Sequence, residues 1–551
     1  MVSDTDALTC TGPDAASVRE GWTDLGRRLW SRPYRQALAW AGPLVLLAYG
    51  FAVTNFTLAG DDWFAVMPEA GLDSQFALMA GRWLMPVIWA ATGGNAFVPF
   101  FSFALALVLL TLAGALAAAV WGLVRPWAVF SVVALFVVNP LFTDALNTKP
   151  AHLSMPLAVV LGALAGWVLL RWRAGYVGRL LLTMALLVLC LASYQPTALV
   201  FAAVVVGNEV ITLAWGSRPY GPGAWRRGLE VLVVGAAAIA VYLLTVRLSW
   251  WITGTDPLAG SAGYSMIGGY PSTPRQIAGT IRFGLRLTGR FWFDGGPLYP
   301  LVLKVVSLAL VAAGAVAVVA AAGRQGLGGK ESRVGRFGKM AWASLLALGS
   351  LVLPLAVIFL RKQPPTRASV FTTVGLVVGF WAALLFERVD PGQPRGRTRA
   401  AFMVAAALVL VVVLGSAYEI NKGYFGLHLS NQRDLANANR MLSVMEQMPQ
   451  FGEGRQVKVR LVGSVVFAVP DEPFSNAVPG TPAGSIVNCS GLSCRNRLVN
   501  MLNLIGGGDR QFVARRPSED PTVQAVIATM PPWPEAGSIR FLDGVFVVKG
   551  S

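Results

Sequence analysis

The stretch ALAWAGPLVLLAYGFAVTNFTL, Ala37–Leu58, decides the fold class of this chain. A helix needs about 20 predominantly apolar residues to cross a bilayer, and this stretch meets that requirement. Two adjacent carboxylates, Asp61 and Asp62, follow it almost at once. Carboxylates at the end of a membrane helix are costly unless water, a cation or a cationic ligand accompanies them, so we interpret the pair as a candidate reactive site.

The composition of the whole chain excludes an ordinary soluble protein. Of its 551 residues, 55% are hydrophobic and 13% are charged, and the charged share is about half that of a typical soluble domain. The net charge of +17 does not indicate nucleic-acid binding, because the basic residues fall in short segments between apolar runs. The N-terminal segment is polar and has no short apolar core, so we expect no cleavable signal peptide.

Apolar runs predict an α-helical polytopic membrane protein with about eleven spans. Lysine and arginine in short loops mark the cytoplasmic side of a membrane protein. When the N-terminus is placed in the cytoplasm, each alternate loop is basic, as in the groups Arg171 to Arg179 and Arg333 to Lys339. The runs lie near residues 37–58, 97–123, 126–142, 151–170, 178–193, 196–215, 229–251, 297–322, 340–360, 368–386 and 400–418.

This membrane topology divides the chain into three predicted parts. Residues 1–36 form a cytoplasmic tail and residues 37–418 a transmembrane domain. Because the number of spans is odd, residues 419–551 face the exterior, and their mixed composition predicts a small α/β domain. Within it we expect an amphipathic helix over Ser430–Met448, a strand over Val457–Val462 and a hairpin that turns at Asp543-Gly544.

Two cysteines in the predicted exterior domain suggest a disulfide. Cys489 and Cys494 enclose four residues, and an oxidising compartment favours their pairing. A zinc site is the weaker alternative, because the chain has two histidines and neither lies near these cysteines.

Polar residues in the predicted exterior loops have the chemistry that glycosyl transfer requires. A carboxylate must accept the proton of an acceptor hydroxyl, and Asp61 or Asp62 suits that role. Cations must offset the charge that builds on a departing phosphate. No recognisable nucleotide-binding motif occurs, which favours a lipid-carried donor. The candidate cations are Arg82, Lys149 and Arg367, and the further substrate-binding candidates are Asp144, His152, Tyr194 and Gln195.

Several of these residues can also be explained by a role other than catalysis or substrate binding. Asp61 and Asp62 can form a solvated helix end or an N-cap, or can bind a divalent cation such as Mg²⁺ or Mn²⁺, which takes oxygen ligands. A lone interfacial histidine such as His152 is more often structural. Tyr194 and Gln195 can cap broken helix ends between two spans.

Four arginines in the predicted loop 252–296 add positive charge to a face that should have little of it. Arginine binds phosphate through paired, charge-assisted hydrogen bonds. These residues therefore suit either the phosphate of a lipid donor or the headgroups of ordinary anionic lipids. They are Arg275, Arg282, Arg286 and Arg290.

The order of motifs along the chain resembles the glucosyltransferase II family of bacterial integral-membrane enzymes that decorate O-antigen. The resemblance implies a GT-C architecture, an active site on the exterior face of the bacterial inner membrane, and a polyprenyl-phosphate donor that carries glucose. It assigns the family's acidic pair to Asp61 and Asp62 and its loop arginine to Arg82. The matching pieces are Asp61-Asp62, Gly81-Arg82-Trp83, Asn139-Pro140, Ser193-Tyr194-Gln195-Pro196, Arg367, the helix around Asp434 and Asn437, and the tail from Met530-Pro531-Pro532-Trp533-Pro534 to Lys549.

The acceptor implied by the resemblance is an envelope polysaccharide or a lipid-linked glycan. Two other function classes compete with the transferase. A transporter or flippase of lipid-linked sugars would place charged or broken-helix sites near the bilayer midplane and would often show internal repeats. A polysaccharide-binding scaffold would keep its activity without Asp61 and Asp62. Ionisable residues here collect at one predicted face and no repeat is visible, which favours the transferase.

Overall fold

A computed structural model describes residues 21–55, 57, 77–92, 99–146, 151–173, 175–215, 222–255, 273–294, 299–325, 333–360, 371–387, 396–452, 456–463, 492–506, 510–515 and 519–550. Its α-helices are α1 (Trp22–Leu29), α2 (Arg32–Thr54), α3 (Leu84–Ala91), α4 (Pro99–Val120), α5 (Pro126–Val137), α6 (Phe142–Leu146), α7 (Ala151–Arg171), α8 (Tyr176–Ser193), α9 (Ala198–Trp215), α10 (Pro222–Thr253), α11 (Pro274–Phe293), α12 (Leu301–Gln325), α13 (Arg333–Val352), α14 (Thr373–Glu387), α15 (Gly396–Glu446), α16 (Leu492–Ile505) and α17 (Pro521–Thr529).

The described helices confirm a polytopic helical membrane protein. Within these residues, nine helices are long and apolar enough to span a bilayer, namely α2, α4, α7, α8, α9, α10, α12, α13 and α15. Two shorter apolar helices, α5 and α14, occupy the positions of the other two predicted spans. Each of the eleven predicted runs therefore contains a helix.

The helices at the predicted spans alternate in direction along the chain, so their connections fall at two ends of the bundle. The Tyr49 hydroxyl donates to the Val137 carbonyl at 2.9 Å near one end, whereas Tyr34 donates to Leu123 at 3.1 Å near the other. Helices α8 and α9 meet at Tyr194, on the same end as Val137 by this alternation. We call that end the Tyr194 end.

At the opposite end, the neighbouring backbone forms hydrogen bonds with two charged side chains, of which Arg171 is buried and Glu387 half-buried. Arg171 is 0% exposed and donates from Nε to the Val120 carbonyl at 3.0 Å. Glu387 accepts the backbone N–H groups of Val124 and Arg125 at 3.2 and 3.3 Å. A charge taken out of water is tolerated when it is hydrogen-bonded in this way. Arg125 and Arg171, which serve as orientation signals in the sequence, therefore also join helix ends.

Helices α5 and α14 pack closely at the centre of the bundle because glycines remove side chains from their contact. A Cβ at Gly375 would lie 2.5 Å from the Leu135 carbonyl oxygen, and one at Gly379 would lie 3.0 Å from the Val132 Cα. Small residues four apart let two helix backbones approach, and within lipid such packing is a main source of helix association. Asn139 supports the end of α5, since its Oδ1 accepts the Leu141 N–H at 3.1 Å.

The last long helix joins the two hydrophobic cores of the molecule. The sequence suggests a span over 400–418 and a separate amphipathic helix over Ser430–Met448, but α15 runs unbroken from Gly396 to Glu446. Its first part packs against α2, α12 and α14. Its last part buries Ala438, Met441 and Met445 in a second core with the C-terminal sheet.

The C-terminal sheet has four strands, β1 (Gln456–Val462), β2 (Gln511–Ala514), β3 (Ile539–Leu542) and β4 (Val545–Lys549). Their order is β2-β1-β4-β3, with β1 parallel to both neighbours and β3 antiparallel to β4. Asp543 and Gly544 turn the hairpin with φ of 48° and 69°, and positive φ at both central residues is typical of a type I′ turn. The predicted strand and hairpin are confirmed. Cys489 and the side chain of Cys494 lie outside the described residues.

Candidate functional site

A glycine-terminated turn presents Arg82 at the start of the candidate site. Gly81 has φ of 75°, and its N–H donates to the Leu78 carbonyl at 2.9 Å. The Arg82 N–H donates to the Ala77 carbonyl at 2.8 Å. These two bonds form a Schellman motif, which favours glycine at the position with positive φ. The Gly81-Arg82-Trp83 sequence therefore ends one helix, and the chain continues directly into α3.

Tyr194 and Gln195, in the break between α8 and α9, fix the Arg82 guanidinium. Its Nε donates to Gln195 Oε1 at 3.3 Å, and its Cζ lies 4.5 Å from the centre of the Tyr194 ring. Arg82 is half-buried, and among the described residues no carboxylate lies within ion-pair distance of it. The face and the Nε of the guanidinium are thus occupied by the protein, whereas its terminal amino groups have no partner among the described residues.

Gln195 links this arginine to helix α10. Its Nε2 donates to the Ala80 carbonyl at 2.7 Å and to the Tyr242 hydroxyl at 2.9 Å. Tyr242 in turn donates to the Gly81 carbonyl at 3.1 Å. The sequence proposes Arg82 for phosphate binding and Tyr194 and Gln195 separately for substrate binding. In the structure they are in direct contact, although they lie over a hundred residues apart in the chain.

Helix α10 contributes residues that the sequence does not single out. Trp250 Nε1 donates to the Leu78 carbonyl at 2.7 Å, and Trp83 Nε1 donates to Thr245 Oγ1 at 3.1 Å. Tyr242, Thr245 and Trp250 share one side of the helix by their spacing. Their signal in the sequence is this row of polar and aromatic side chains within an apolar span, but the row does not reveal its partner.

His152 and Asp144 lie in a second group at the same end of the bundle. His152 is 1% exposed, and its Nε2 lies 2.6 Å from the Leu146 carbonyl oxygen. A carbonyl can only accept, so Nε2 holds a proton, and the Nδ1 of a neutral ring accepts from Ser102 Oγ at 3.2 Å. Phe103 packs edge-on against the ring at 5.0 Å. Both nitrogens of His152 are used within the fold, which favours the structural alternative.

Helix α3 bridges the two groups, because it packs on α7, which begins next to His152, and on α8, which ends at Tyr194. Asp144 is 2% exposed on α6. The remaining predicted site residues, Asp61, Asp62, Lys149 and Arg367, lie outside the described residues.

A buried cation near the same end was not predicted. Lys304 is 4% exposed at the start of α12, where its Nζ donates to the Asp294 carbonyl at 2.7 Å and lies 5.0 Å from the centre of the Phe291 ring. Tyr299, in the segment before α12, shares a hydrogen bond of 2.6 Å with Ser307.

The described residues do not include a group of three or more His, Cys, Asp or Glu that could bind a metal ion. The predicted cation site depends on Asp61 and Asp62, which are not among them.

Comparison with known proteins identifies one family. The family model described as glucosyl transferase GtrII matches residues 50–380, which is more than half of the chain. The matched region contains every predicted catalytic, phosphate-binding and substrate-binding residue. A search of curated proteins and a search of solved structures each found no match.

Proposed function

The chain belongs to the glucosyl transferase GtrII family, and on that premise we propose that it moves a sugar from a polyprenyl-phosphate donor to an envelope glycan. Family membership and the apolar helices together make it a membrane glycosyltransferase. The finer proposal concerns the donor, the acceptor and the side of the membrane. It rests on one observation above all, which is the way Arg82 is held.

Arg82 suits the phosphate of a lipid-carried donor. Gln195 binds its Nε and Tyr194 covers one face, so the arginine is oriented before any ligand arrives. The planar fork of a guanidinium matches phosphate oxygens with two parallel hydrogen bonds. Because the side chain is already fixed, little conformational entropy is lost on binding. We propose Lys149 and Arg367 as further cations for the same phosphate.

The proposed reaction needs one base and one anion-stabilising group. The oxygen of an acceptor hydroxyl attacks the anomeric carbon of the sugar while its proton passes to Asp61 or Asp62. The bond between the anomeric carbon and the phosphate oxygen breaks, and its electron pair stays on that oxygen. Polyprenyl phosphate departs with an added negative charge, which Arg82 stabilises.

We propose that Tyr194 and Gln195 position Arg82, and that Asp144 lies on the side where the sugar binds. His152 supports the helix ends around it through Leu146 and Ser102. The family name supports glucose as the sugar. We propose an envelope polysaccharide or a lipid-linked glycan as the acceptor, on the exterior face of the inner membrane.

A transfer assay with purified protein in nanodiscs tests this proposal. The donors are radiolabelled polyprenyl-phosphate sugars, with glucose first, and the acceptor is a lipid-linked glycan. We expect Asp61→Ala or Asp62→Ala to abolish transfer while donor binding persists. Asp24→Ala is the matched control, because Asp24 caps α1 at the opposite end and pairs with Arg27 at 2.7 Å.

Full transfer by both variants would contradict the proposed base. Movement of the donor across liposomes without transfer by the wild type would favour the flippase instead.

A further inference from the structure

Helix α11 presents an arginine face that the glycosyltransferase reaction does not explain. It lies in the segment 252–296 that the sequence predicts as a loop, and it begins at Pro274 with the Gln276 N–H bound to the Thr273 hydroxyl at 3.3 Å. Helical spacing divides its side chains into three rows. One row is buried, one is apolar and exposed, and one is basic and exposed.

The buried row attaches α11 to the end of a membrane-spanning helix. Gly284, Thr288 and Trp292 follow one another at intervals of four and are buried. The main packing partner of α11 is the 3₁₀ segment Leu353–Leu360, which continues α13. Trp292 Nε1 donates to the Leu351 carbonyl at 3.1 Å, at the last turn of α13. This contact places α11 at the level where a candidate span ends.

The basic row has no acidic counterpart. Arg282, Arg286 and Arg290 are spaced at four residues, and Arg275 lies on the same side, about two turns before Arg282. All four are exposed, and α11 contains no Asp or Glu. Among the described residues, no carboxylate lies within ion-pair distance of any of them. This side of the helix is therefore a continuous positive surface.

The exposed apolar row explains why this surface belongs at a bilayer rather than in water. Ile277, Ile281 and Leu285 are 45%, 45% and 56% exposed and again lie four residues apart. A row of large apolar side chains beside a row of arginines is typical of helices that lie in the membrane interface. The apolar row can enter the acyl boundary while the arginines stay at the level of the phosphates.

We propose that α11 is an interfacial helix whose arginine row binds the phosphates of anionic phospholipids. Charge complementarity selects this partner, since a negative membrane surface attracts each nearby Lys or Arg. The inference concerns the lipid of the bilayer and not the donor, so it stands apart from the transferase activity.

The test measures lipid binding directly on the full-length protein. Purified protein in neutral detergent is titrated with phosphatidylglycerol or phosphatidylcholine, and bound lipids are counted by native mass spectrometry. We expect the wild type to prefer phosphatidylglycerol and R282Q/R286Q to lose about 30-fold of that preference, because each basic residue near an anionic surface contributes ~1 kcal/mol. R282K/R286K should keep most of the preference, which shows that charge and not local structure is responsible.

The matched control is R540Q, which removes one exposed charge from strand β3 and should leave the preference unchanged. Equal phosphatidylglycerol binding by the wild type and R282Q/R286Q would overturn the proposal. Displacement of phosphatidylglycerol by an equimolar amount of polyprenyl phosphate would also overturn it, because the occupant would then be the donor lipid.

Discussion

The Arg82 guanidinium is held through its Nε and through one face of its plane. These two contacts explain why this position has an arginine and not a lysine. Gln195 uses the Nε and Tyr194 uses one face of the plane. A lysine ammonium has no Nε group and no plane, so it would keep the charge but lose both contacts. Gln195 can play its part only because Ala80 and Tyr242 hold its amide in one orientation.

We therefore expect Arg82→Lys to lower the rate of transfer about 100-fold, comparable with the loss of one preorganised donor to a developing anion. The reason is that a lysine supplies the charge without the fixed geometry. Initial rates over a range of donor concentrations separate the effect on kcat from the effect on KM.

Gln195→Leu provides the complementary variant, since it leaves the arginine in place but removes its orienting partner. Its rate should fall less than that of Arg82→Lys. Unchanged rates in both variants would show that the phosphate is bound elsewhere.

His152 is a second residue whose role can be decided by substitution. Its Nε2–H satisfies the buried Leu146 carbonyl, so His152→Ala leaves that oxygen unpaired and opens a cavity. We expect a loss of about 2 kcal/mol in the free energy of unfolding, seen as a lower Tm in detergent. Ser102→Ala, which removes only the partner of Nδ1, should cost less. An unchanged Tm together with lost donor binding would instead support the predicted substrate contact.

At the scale of elements, the α5 and α14 pair shows how glycine position controls helix packing. These helices have 12 and 15 residues, or about 18 and 22 Å at 1.5 Å per residue, less than the ~30 Å of a hydrocarbon core. Nearly all of their residues are buried by protein. Short helices and the Asn139-Pro140 break are tolerated there because irregular backbone within a membrane must be enclosed by protein.

Gly375→Ala should destabilise the protein by about 2 kcal/mol, the typical cost of overpacking. The added Cβ would lie 2.5 Å from both the Leu135 carbonyl oxygen and Asn139 Nδ2. Gly235→Ala on α10 is the control, because no described heavy atom lies within 4 Å of its Cβ. Thermal unfolding in one detergent compares the two variants. Equal Tm values would mean that α5 and α14 separate at little cost.

The elements that the sequence predicts well are those with a local signal. About 20 consecutive apolar residues report a span whatever surrounds them, and Asp543-Gly544 reports a hairpin turn. Helix α11 is less visible, because arginines interrupt its apolar residues. The contact between Arg82 and Gln195 joins distant segments of the chain. A residue pattern can predict that a side chain is buried, but it does not predict which distant residue the side chain contacts. The Gly81-Arg82-Trp83 and Tyr194-Gln195 motifs could be found, but not Tyr242 or Trp250.

At the scale of the whole molecule, α15 makes one continuous connection between the membrane bundle and the C-terminal sheet. It has 51 residues, or about 76 Å at 1.5 Å per residue, more than twice the ~30 Å of a hydrocarbon core. Tyr424 packs in the bundle at 5.9 Å from Phe103, whereas Met445 is buried in the core of the sheet domain. The sheet therefore cannot lie within the bilayer plane of the bundle without a break in this helix.

We expect the side of the membrane that carries the sheet to follow from the parity of the crossings. Eleven crossings from a cytoplasmic N-terminus would place the sheet outside, and the basic residues in alternate loops of the sequence predict that the N-terminus is cytoplasmic. Helices α5 and α14 are the shortest of the eleven, but discounting both removes two crossings and leaves the parity odd. The prediction is therefore unchanged if the two shortest helices do not cross the membrane.

Cysteine accessibility in a cysteine-free background tests this orientation. Arg540→Cys lies on an exposed position of β3, and Trp30→Cys replaces a side chain that is 77% exposed beside the start of α2. We expect a membrane-impermeant maleimide to label Arg540→Cys in cells with a permeabilised outer envelope, and to label Trp30→Cys only after the inner membrane is broken. The reverse pattern would invert the topology and place the candidate site in the cytoplasm, where a polyprenyl-phosphate donor would have to be used before it crosses the membrane. Labelling of both positions from the same side would require an even number of crossings, and at least one of the eleven predicted spans would then not cross the membrane.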